Sequence, residues 1–247
     1  MDSHSSPSIV IATDVHRHFG EGDAAVHALD GVSVDFPRGR FTAIMGPSGS
    51  GKSTLMHVLA GLDRPTAGSV LVDGVEISDL DDKQLTELRR DKVGFVFQFF
   101  NLLPVLTAEE NIRLPLSIAG READPDLMAK LVEAVDLGDR LSHRPAELSG
   151  GQQQRVAVAR ALISEPAVVF ADEPTGNLDS STSEEVLALL RRAVDEFGQT
   201  VVMVTHDANA AAIADRVVVL VDGKIVQDAE AGSAARVHDL LKQGTTS

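Results

Sequence analysis

Short apolar runs rich in β-branched residues alternate with segments of helical periodicity along most of the chain. This alternation is typical of an α/β domain with a mainly parallel central sheet. The N-terminal part is richer in strand signals than the rest, so we expect an antiparallel β subdomain there. The predicted strands are Ser8–Ala12, Ala28–Phe36, Phe41–Met45, Ser69–Val72, Val93–Phe97, Ala167–Ala171, Thr200–Thr205, Arg216–Val221 and Lys224–Gln227.

Turn and cap signals fix two further elements near the C-terminus. The dipeptide Asp222-Gly223 separates the last two predicted strands, and this pair strongly favours a tight β-hairpin. Ser181 and Glu184 have the spacing of a capping box, and Gly198 follows the last apolar residue of helical spacing. We therefore expect an amphipathic helix from about Ser181 to Phe197 that packs one face on the sheet.

Strand signals are absent between about Phe99 and Pro145. The segments Thr107–Ala119 and Asp124–Val135 have helical periodicity, and Pro115 is expected to disturb the first of them. We interpret residues 99–160 as an inserted α-helical subdomain. Disordered tails are expected at residues 1–8 and 243–247, with a single domain over residues 9–242.

Composition narrows the possible partners. The 247 residues include 37 acidic and 22 basic side chains, which gives a formal charge of -15, and there is no cysteine. This balance argues against a nucleic-acid groove and against direct insertion into anionic lipid, since both depend on clustered Lys and Arg. The longest apolar stretches fall far short of the roughly 20 residues that span a bilayer. We therefore expect a cytoplasmic protein without a disulfide framework or a signal peptide.

Residues 46–53 fit the phosphate-binding pattern G-x-x-x-x-G-K-[ST], directly after a predicted strand and before a predicted helix. Backbone amides of such a loop wrap phosphate oxygens, while Lys52 reaches the β- and γ-phosphates and Ser53 ligates Mg²⁺. A glycine-rich turn without a ligand is the competing interpretation, and the flanking elements argue against it. The sequence thus predicts a P-loop NTPase that binds ATP and Mg²⁺ through Gly46, Ser48, Gly49, Ser50, Gly51, Lys52, Ser53 and Thr54.

Two carboxylates end the apolar run Ala167–Ala171. Ligands of open α/β sheets lie at the carboxyl ends of the strands, so Asp172 and Glu173 are candidates for nucleotide chemistry. Asp172 would hold the Mg²⁺ through water, and Glu173 would orient and deprotonate the water that attacks the γ-phosphate. Without the phosphate loop, an ordinary strand end would explain this pair equally well.

The segment Leu148-Ser-Gly-Gly-Gln152 opens a helical run from Gln153 to Ile163 and leaves backbone amides available at a helix N-terminus. That makes it a second candidate anion site, at Ser149, Gly150, Gly151 and Gln152. One nucleotide rarely needs two such loops so far apart in sequence, so we expect this loop to face the nucleotide of another copy in a homodimer. A plain N-cap at Ser149 followed by two flexible glycines is the alternative.

Two single residues matter by their position after predicted strands. Gln98 follows Val93–Phe97 and could ligate the metal or the attacking water. His206 follows Thr200–Thr205 and could donate a hydrogen bond to the γ-phosphate. Each is also compatible with an ordinary surface or capping residue.

Taken together, these segments resemble the nucleotide-binding subunit of an ABC transporter over about residues 8–230. More narrowly, residues 98–104, LSGGQQQRVAVARAL and residues 172–179 resemble the lipoprotein-release, macrolide-export and antimicrobial-peptide-export ATPases. The resemblance implies that two copies enclose two ATP molecules, with Ser149, Gly150 and Gly151 of one copy completing the site at Lys52 of the other. It also implies a dimer contact at Asp179 and an adenine-stacking aromatic at Phe19, because the chain has no Tyr.

The same resemblance implies a separate integral membrane permease that is driven by closure of the dimer. An apolar surface follows Gln98, and we expect it to dock the permease and hold the subunit at the inner face of the cell membrane; its residues are Phe99, Phe100, Leu102, Leu103 and Val105. Packing of these residues inside the helical subdomain is the alternative. Export is favoured over import. A non-transport ATPase of the same superfamily, for DNA repair or cytosolic assembly, and a small-molecule kinase are the competing functions.

Overall fold

The computed structural model describes residues 7–20 and 26–245. Of the expected N-terminal tail, residues 1–6 lie outside the described residues, and Ser8 already begins a strand. The strands are β1 (Ser8–Phe19), β2 (Val26–Pro37), β3 (Phe41–Met45), β4 (Ala67–Val72), β5 (Val75–Glu76), β6 (Val93–Phe97), β7 (Val168–Asp172), β8 (Val201–Val204), β9 (Arg216–Val221) and β10 (Lys224–Glu230). The helices are α1 (Lys52–Leu59), α2 (Asp82–Lys92), α3 (Ala108–Ile118), α4 (Pro125–Ala134), α5 (Gly150–Leu162), α6 (Ser180–Phe197), α7 (Ala208–Ala211) and α8 (Ala234–Thr245).

The strands form two sheets. The N-terminal sheet has the order β2-β1-β4-β5 and is antiparallel throughout. The central sheet has the order β10-β9-β3-β8-β7-β6 and is parallel except for its last pair, β9 and β10. The predicted fold class, a mainly parallel central sheet with an antiparallel N-terminal β subdomain, is confirmed.

The hairpin between β9 and β10 is also confirmed. Asp222 and Gly223 have φ values of 47° and 74°, as the two central residues of a type I′ turn require. The turn supports its surroundings, because Gly223 N donates to Ser50 O at 3.0 Å and Asp30 N donates to Gly223 O at 2.9 Å. The hairpin therefore braces the phosphate-binding loop from behind.

The central sheet separates two apolar cores. All five residues of β3 are buried, and they alternate: Phe41, Ala43 and Met45 face one core, whereas Ile44 faces the other. The first core is closed by α3 to α6, and the second by α1 and the N-terminal sheet. Burial on both faces explains why these strands read as continuous apolar runs in the sequence. It also holds the carboxyl ends of the strands rigidly at one edge.

Between β6 and β7 the described chain is helical and has no strand, as predicted. A capping box fixes the start of α3, because Thr107 Oγ1 accepts from Glu110 N and Glu110 Oε2 accepts from Thr107 N. The helix runs through Pro115 and ends at Ile118. The second helix, α4, begins after Asp124, which caps it.

Two expectations about helix ends were wrong or incomplete. The N-cap of α6 is Asp179, not Ser181, because its carboxylate accepts from Thr182 N and from the Ser181 and Thr182 hydroxyls, more bonds than a serine cap can form. At the C-terminus, α8 continues to Thr245, three residues into the range expected as a tail, and residues 246–247 lie outside the described part. Within the described residues, no helix has the length and apolar content that crossing a membrane requires.

Candidate functional site

The loop between β3 and α1 has a backbone path that only glycine can follow at its two ends. Gly46 has φ 150°, and a Cβ there would lie 2.0 Å from Leu220 O. Gly51 has φ 100°, and a Cβ there would lie 2.2 Å from Ala28 O. The loop is thereby pressed against β9 and β2, and its middle is left facing outward.

The open side of this loop presents hydrogen-bond donors. Gly51 is the N-cap of α1 and has no side chain to cap the helix, and a Cβ at Gly49 would meet nothing within 4 Å. Lys52 Nζ donates to Gly46 O at 2.9 Å and to Pro47 O at 2.7 Å, which holds the ammonium across the mouth of the loop. The buried Ser50 Oγ has no hydrogen-bond partner among the described residues. Donors around an uncapped helix N-terminus fit a phosphate group.

A hydroxyl and a carboxylate meet beside this loop. Ser53 Oγ lies 3.4 Å from Asp172 Oδ1, although the two residues are far apart in sequence. Burial raises the pKa of Asp172, and the nearby His57 and, to a smaller extent, the Ser53 hydrogen bond oppose that rise. Burial likewise lowers the pKa of Lys52, against the opposing effect of Glu173 and Asp172. An oxygen pair of this kind suits a hard divalent cation such as Mg²⁺.

Glu173 and His206 are in direct contact at the edge of the central sheet. His206 Nδ1 lies 2.8 Å from Glu173 Oε1, and the histidine side chain is 74% exposed whereas the glutamate side chain is 21% exposed. Glu173 has a left-handed φ of 45°, which is fixed because its backbone N donates to Val204 O. A strained, partly buried carboxylate that faces an accessible imidazole is typical of a catalytic position. Both residues line a cavity of about 520 Å³ together with Lys52.

Gln98 lies at the same edge but has a different partner. Phe97 pairs with Asp172 across the sheet, so Gln98 follows directly beside the acidic pair. Its side-chain amide contacts Asn177 Oδ1 at 3.3 Å, and Asn177 Nδ2 donates to Gln98 O at 3.0 Å. The structure therefore connects Gln98 to the loop before α6, and it shows no contact between Gln98 and Ser53.

The segment LSGGQ forms the start of α5. Ser149 is the N-cap of this helix and forms a capping box with Gln152. Gly151 is required by packing, since a Cβ there would lie 2.2 Å from Thr182 Cγ2. The N-cap alternative for Ser149 is thus seen in the structure, while the exposed position of Ser149 leaves it accessible to a second chain. None of these residues lines the cavity beside Lys52.

The two remaining predicted residues lie at the periphery of the site. Asp179 uses its carboxylate as the cap of α6, and these hydrogen bonds hold its pKa far below the ordinary value. Phe19 ends β1 and is 44% exposed, with the Arg17 guanidinium 4.4 Å from its ring centroid. Phe19 pairs with Val26 of β2, two residues before Ala28, whose carbonyl abuts Gly51. An aromatic face is thereby available near the start of α1.

Two polar residues of α5, the buried Gln154 and the partly buried Arg160, escaped the sequence analysis. Gln154 Nε2 donates to Phe97 O and Pro174 O, and Arg160 donates to the carbonyls of Phe100 and Asn101. Gln154 links α5 to the segments around Gln98 and Glu173, and Arg160 links it to the residues that follow Gln98. A polar residue at a position where helical spacing requires an apolar one is the only signal that could have identified Gln154.

Comparison with known proteins agrees with this geometry. The sequence profile of the ABC transporter family matches residues 29–176. The uncharacterized ABC transporter ATP-binding protein MJ0796 of Methanocaldococcus jannaschii is 46% identical over 222 residues, which cover 87% of this chain and 94% of that protein. An uncharacterized ABC transporter ATP-binding protein of Thermotoga maritima is 52% identical over 214 residues, covering 86% and 91%.

A larger relative and a solved structure extend the comparison. The macrolide export ATP-binding/permease protein MacB of Marinobacter nauticus is 50% identical over 217 residues, but the match covers only 34% of that protein. The structure of the MJ0796 cassette, a dimer in a post-hydrolysis state bound to ADP and Pi, superimposes with a TM-score of 0.81 at 43% identity and covers 90% of this chain and 98% of that one.

Fold and site together define a P-loop nucleoside triphosphatase. The chain belongs to the ABC transporter family. It is an ATP-binding subunit with ATP hydrolase activity. The similar MJ0796 cassette forms a dimer, and the similar MacB combines an ATP-binding part with a permease. The family and the activity that the sequence predicted are confirmed.

Proposed function

We propose that two copies of this chain hydrolyse MgATP at their shared interface and power a separate export permease. The observation that carries the proposal is the Glu173–His206 pair, which lies in one cavity with Lys52 while the LSGGQ segment of the same chain lies outside it. The site of one copy is therefore incomplete on its own. A second copy would supply Ser149, Gly150, Gly151 and Gln152.

The residues around Lys52 would have separate roles in binding the phosphates and in binding Mg²⁺. The backbone amides of Ser48, Gly49, Ser50 and Gly51, with Lys52 and the amide of Thr54, would hold the β- and γ-phosphates. Ser53 Oγ and Asp172 Oδ1 would hold Mg²⁺, with Gln98 as a further ligand once it leaves Asn177. Bound Mg²⁺ would supply charge neutralisation at the phosphates.

Glu173 is the proposed general base. Its carboxylate would accept a proton from the attacking water, and its backbone is held in place by the hydrogen bond from its amide to Val204 O. His206 would donate to the γ-phosphate through one ring nitrogen, and it would keep its contact with Glu173 through the other only as the imidazolium, which has two N–H donors. At the other end of the nucleotide, Phe19 would stack on the adenine ring.

The proposed export role derives from the MacB relative, whose name combines an ATP-binding part with a permease. The match covers 34% of that protein, and the proposal assigns the permease to a separate subunit. Subunit and permease would meet at the inner face of the cell membrane, where ATP is available. Lipoprotein- or peptide-extruding systems are the proposed classes, because residues 98–104, LSGGQQQRVAVARAL and residues 172–179 together resemble the ATPases of such systems.

The proposed docking surface is the apolar groove between β6 and α3. This cavity of about 450 Å³ is lined by Phe95, Phe97, Leu114 and Ile118, among others. Beyond it, Phe99 and Val105 are each 72% exposed and Leu103 is 44% exposed. Leu102 instead packs against the core, and the Phe100 ring lies beside Gly150. These two residues would therefore lie beneath the contact surface and would not touch the permease. Exposed apolar area of this kind marks a protein contact.

Glu173→Gln tests the proposed chemistry. The amide cannot accept a proton, so ATP turnover should fall by at least about a hundredfold while ATP binding persists and an ATP-bound dimer accumulates. Steady-state phosphate release and size-exclusion chromatography with ATP measure both effects. Glu87→Gln on the exposed face of α2 is the matched control and should change neither. Turnover at the normal rate in Glu173→Gln would remove Glu173 from the role of base.

A further inference from the structure

The last helix of the chain forms part of the wall of the nucleotide cavity. Three residues that line the cavity of about 520 Å³ beside Lys52 come from α8, and they are His238, Leu241 and Lys242. They share it with Glu173 and His206, the two residues at the γ-phosphate end. No motif of the family resemblance includes α8, so its presence here is a separate observation.

Packing fixes the orientation of α8. Val237 is fully buried, Leu240 and Leu241 pack against the core under the central sheet, and α8 lies against α7 and β9. At Gly244 a Cβ would lie 2.7 Å from Val226 Cγ2, which holds the end of the helix close to β10. Since α7 begins shortly after His206, α8 is positioned by the same segment that carries this catalytic residue.

His238 and Lys242 are one helical turn apart, at i and i+4, and therefore project from the same side of α8. Both are exposed rather than part of the apolar face that anchors the helix. Leu241, which lines the same cavity, is half-buried between the two faces. The helix thus turns an imidazole and an ammonium toward the cavity that contains Lys52.

The charge balance of this cavity favours a second cation. The phosphate-loop motif supplies one ammonium, Lys52, whereas Glu173 and the neighbouring Asp172 supply two carboxylates. The whole chain carries a formal charge of -15, so the long-range field does not attract a triphosphate. Attraction has to come from local groups, and an additional ammonium at the γ-phosphate end would add to the backbone amides, Lys52 and Mg²⁺.

We propose that His238 and Lys242 bind the terminal phosphate of the nucleoside triphosphate and make the site prefer ATP over ADP. The proposal rests on the proposed function, since it assigns the γ-phosphate to the cavity between Lys52, Glu173 and His206. ADP lacks the γ-phosphate that would contact His238 and Lys242, so α8 would not contribute to its affinity. The C-terminal helix is then a binding element for the triphosphate form.

Lys242→Met tests this proposal, because it removes the charge and retains the length of the side chain. Isothermal titration of the full chain with ATP and with ADP, in EDTA so that no turnover consumes ATP, gives both affinities. We expect Lys242→Met to weaken ATP binding about tenfold and ADP binding less than threefold. His238→Gln should reduce the same preference by a smaller factor, and Lys242→Arg should restore it.

Arg236→Met is the matched control, because it removes one cation from the same helix at an exposed position that does not line the cavity. It should leave both affinities unchanged. Thermal melting of each variant checks that α8 stays folded.

Equal weakening of ATP and ADP, or no change in either, would overturn the proposal. A rise in ATPase rate and in dimer formation in Lys242→Met would also overturn it, because α8 would then shield the site from the second copy. If the unaltered chain bound no ATP even with Mg²⁺ present, the proposed function itself would fail. If it bound ATP and Lys242→Met bound it equally well, only the role of α8 would fail.

Discussion

At the scale of single residues, burial makes the charged forms of Asp172 and Lys52 less stable than they are in water. Burial raises the pKa of Asp172 and lowers the pKa of Lys52, so ionisation of each group is less favourable in the protein than in water. An anion beside Lys52 and a cation beside Asp172 would relieve both effects. The site is therefore prepared for MgATP at some cost to the stability of the empty protein.

Asp172→Asn is expected to stabilise the nucleotide-free protein near neutral pH. A carboxyl with a raised folded pKa binds its proton more readily when folded, so the free energy of unfolding falls as pH rises from 3.8 to the raised value. The loss persists at higher pH. Asn has no such ionisation, and we expect the Tm at pH 7.5 to rise by about 1–2 °C.

Thermal melting from pH 3.5 to pH 7.5 measures this effect. The difference in Tm between Asp172→Asn and the unaltered chain should be largest at neutral pH and should shrink toward the acid end. Asp79→Asn, at an exposed position, should follow the unaltered chain throughout. An Asp172→Asn variant that is less stable at pH 7.5 would show that the ionised carboxylate stabilises the empty site.

At the scale of elements, α5 connects the parts of the site. Ser149 is its N-cap. Its buried Gln154 donates to Phe97 O at the end of β6 and to Pro174 O after β7, and its Arg160 donates to the Phe100 and Asn101 carbonyls. Phe100 and Asn101 both have left-handed φ values of 58° and 50°. A movement of α5 would thus displace Pro174, which follows Glu173, and also the loop at Phe100 and Asn101.

Two substitutions at Ser149 separate its capping role from its proposed role in the second copy. Ser149→Arg removes the cap and adds bulk, whereas Ser149→Asp retains a good N-cap and places a negative charge where a phosphate is expected. Both should leave nucleotide binding by the monomer intact and reduce ATP hydrolysis by at least about tenfold.

The comparison that decides this point is Thr107→Asp, which makes the same kind of change at the N-cap of α3. Phosphate release by Thr107→Asp should match that of the unaltered chain. Normal hydrolysis in Ser149→Asp would assign Ser149 to helix capping alone and argue against a site made by two copies.

The sequence predicted elements well where one local signal dominated. Asp222-Gly223 defined its hairpin, and the buried run of β3 placed the phosphate loop. The cap of α6 was misassigned because Asp179 and Ser181 are both good capping residues. Only the structure shows that the Asp179 carboxylate accepts the hydrogen bond from the Thr182 backbone amide. The arrival of α8 at the cavity depends on packing of Val237 under the central sheet, a tertiary contact that no local pattern encodes.

The candidate site residues also differ in how far the sequence predicted their positions and partners. Lys52, Glu173 and His206 follow strands of one parallel sheet, so topology alone brings them to one edge. Gln98 also reaches that edge, but its amide turns to Asn177, which sequence spacing could not indicate. Gln154 and Arg160 act through backbone carbonyls, and such partners leave no trace in the sequence.

At the scale of the whole molecule, a chain with a formal charge of -15 binds a polyanion. The proposed site reconciles the two, because the phosphate loop would bind through backbone amides and a helix N-terminus that do not enter the formal charge. The acidic side chains are free to remain on the outside. Such a surface offers little to anionic lipid, so attachment to a membrane would depend on apolar contacts with a permease.

The double variant Leu103→Asp with Val105→Asp tests that attachment. Burial of one such side chain contributes roughly 1.5–3 kcal/mol, so losing two of them should weaken binding to the permease by at least about a hundredfold. Copurification of the subunit with the permease in detergent measures binding, and ATPase activity of the isolated subunit reports on its fold. Val75→Asp places the same charge on an exposed apolar residue of the N-terminal sheet and should copurify normally. Retention of the double variant on the permease, with its ATPase activity intact, would show that Leu103 and Val105 lie outside the contact.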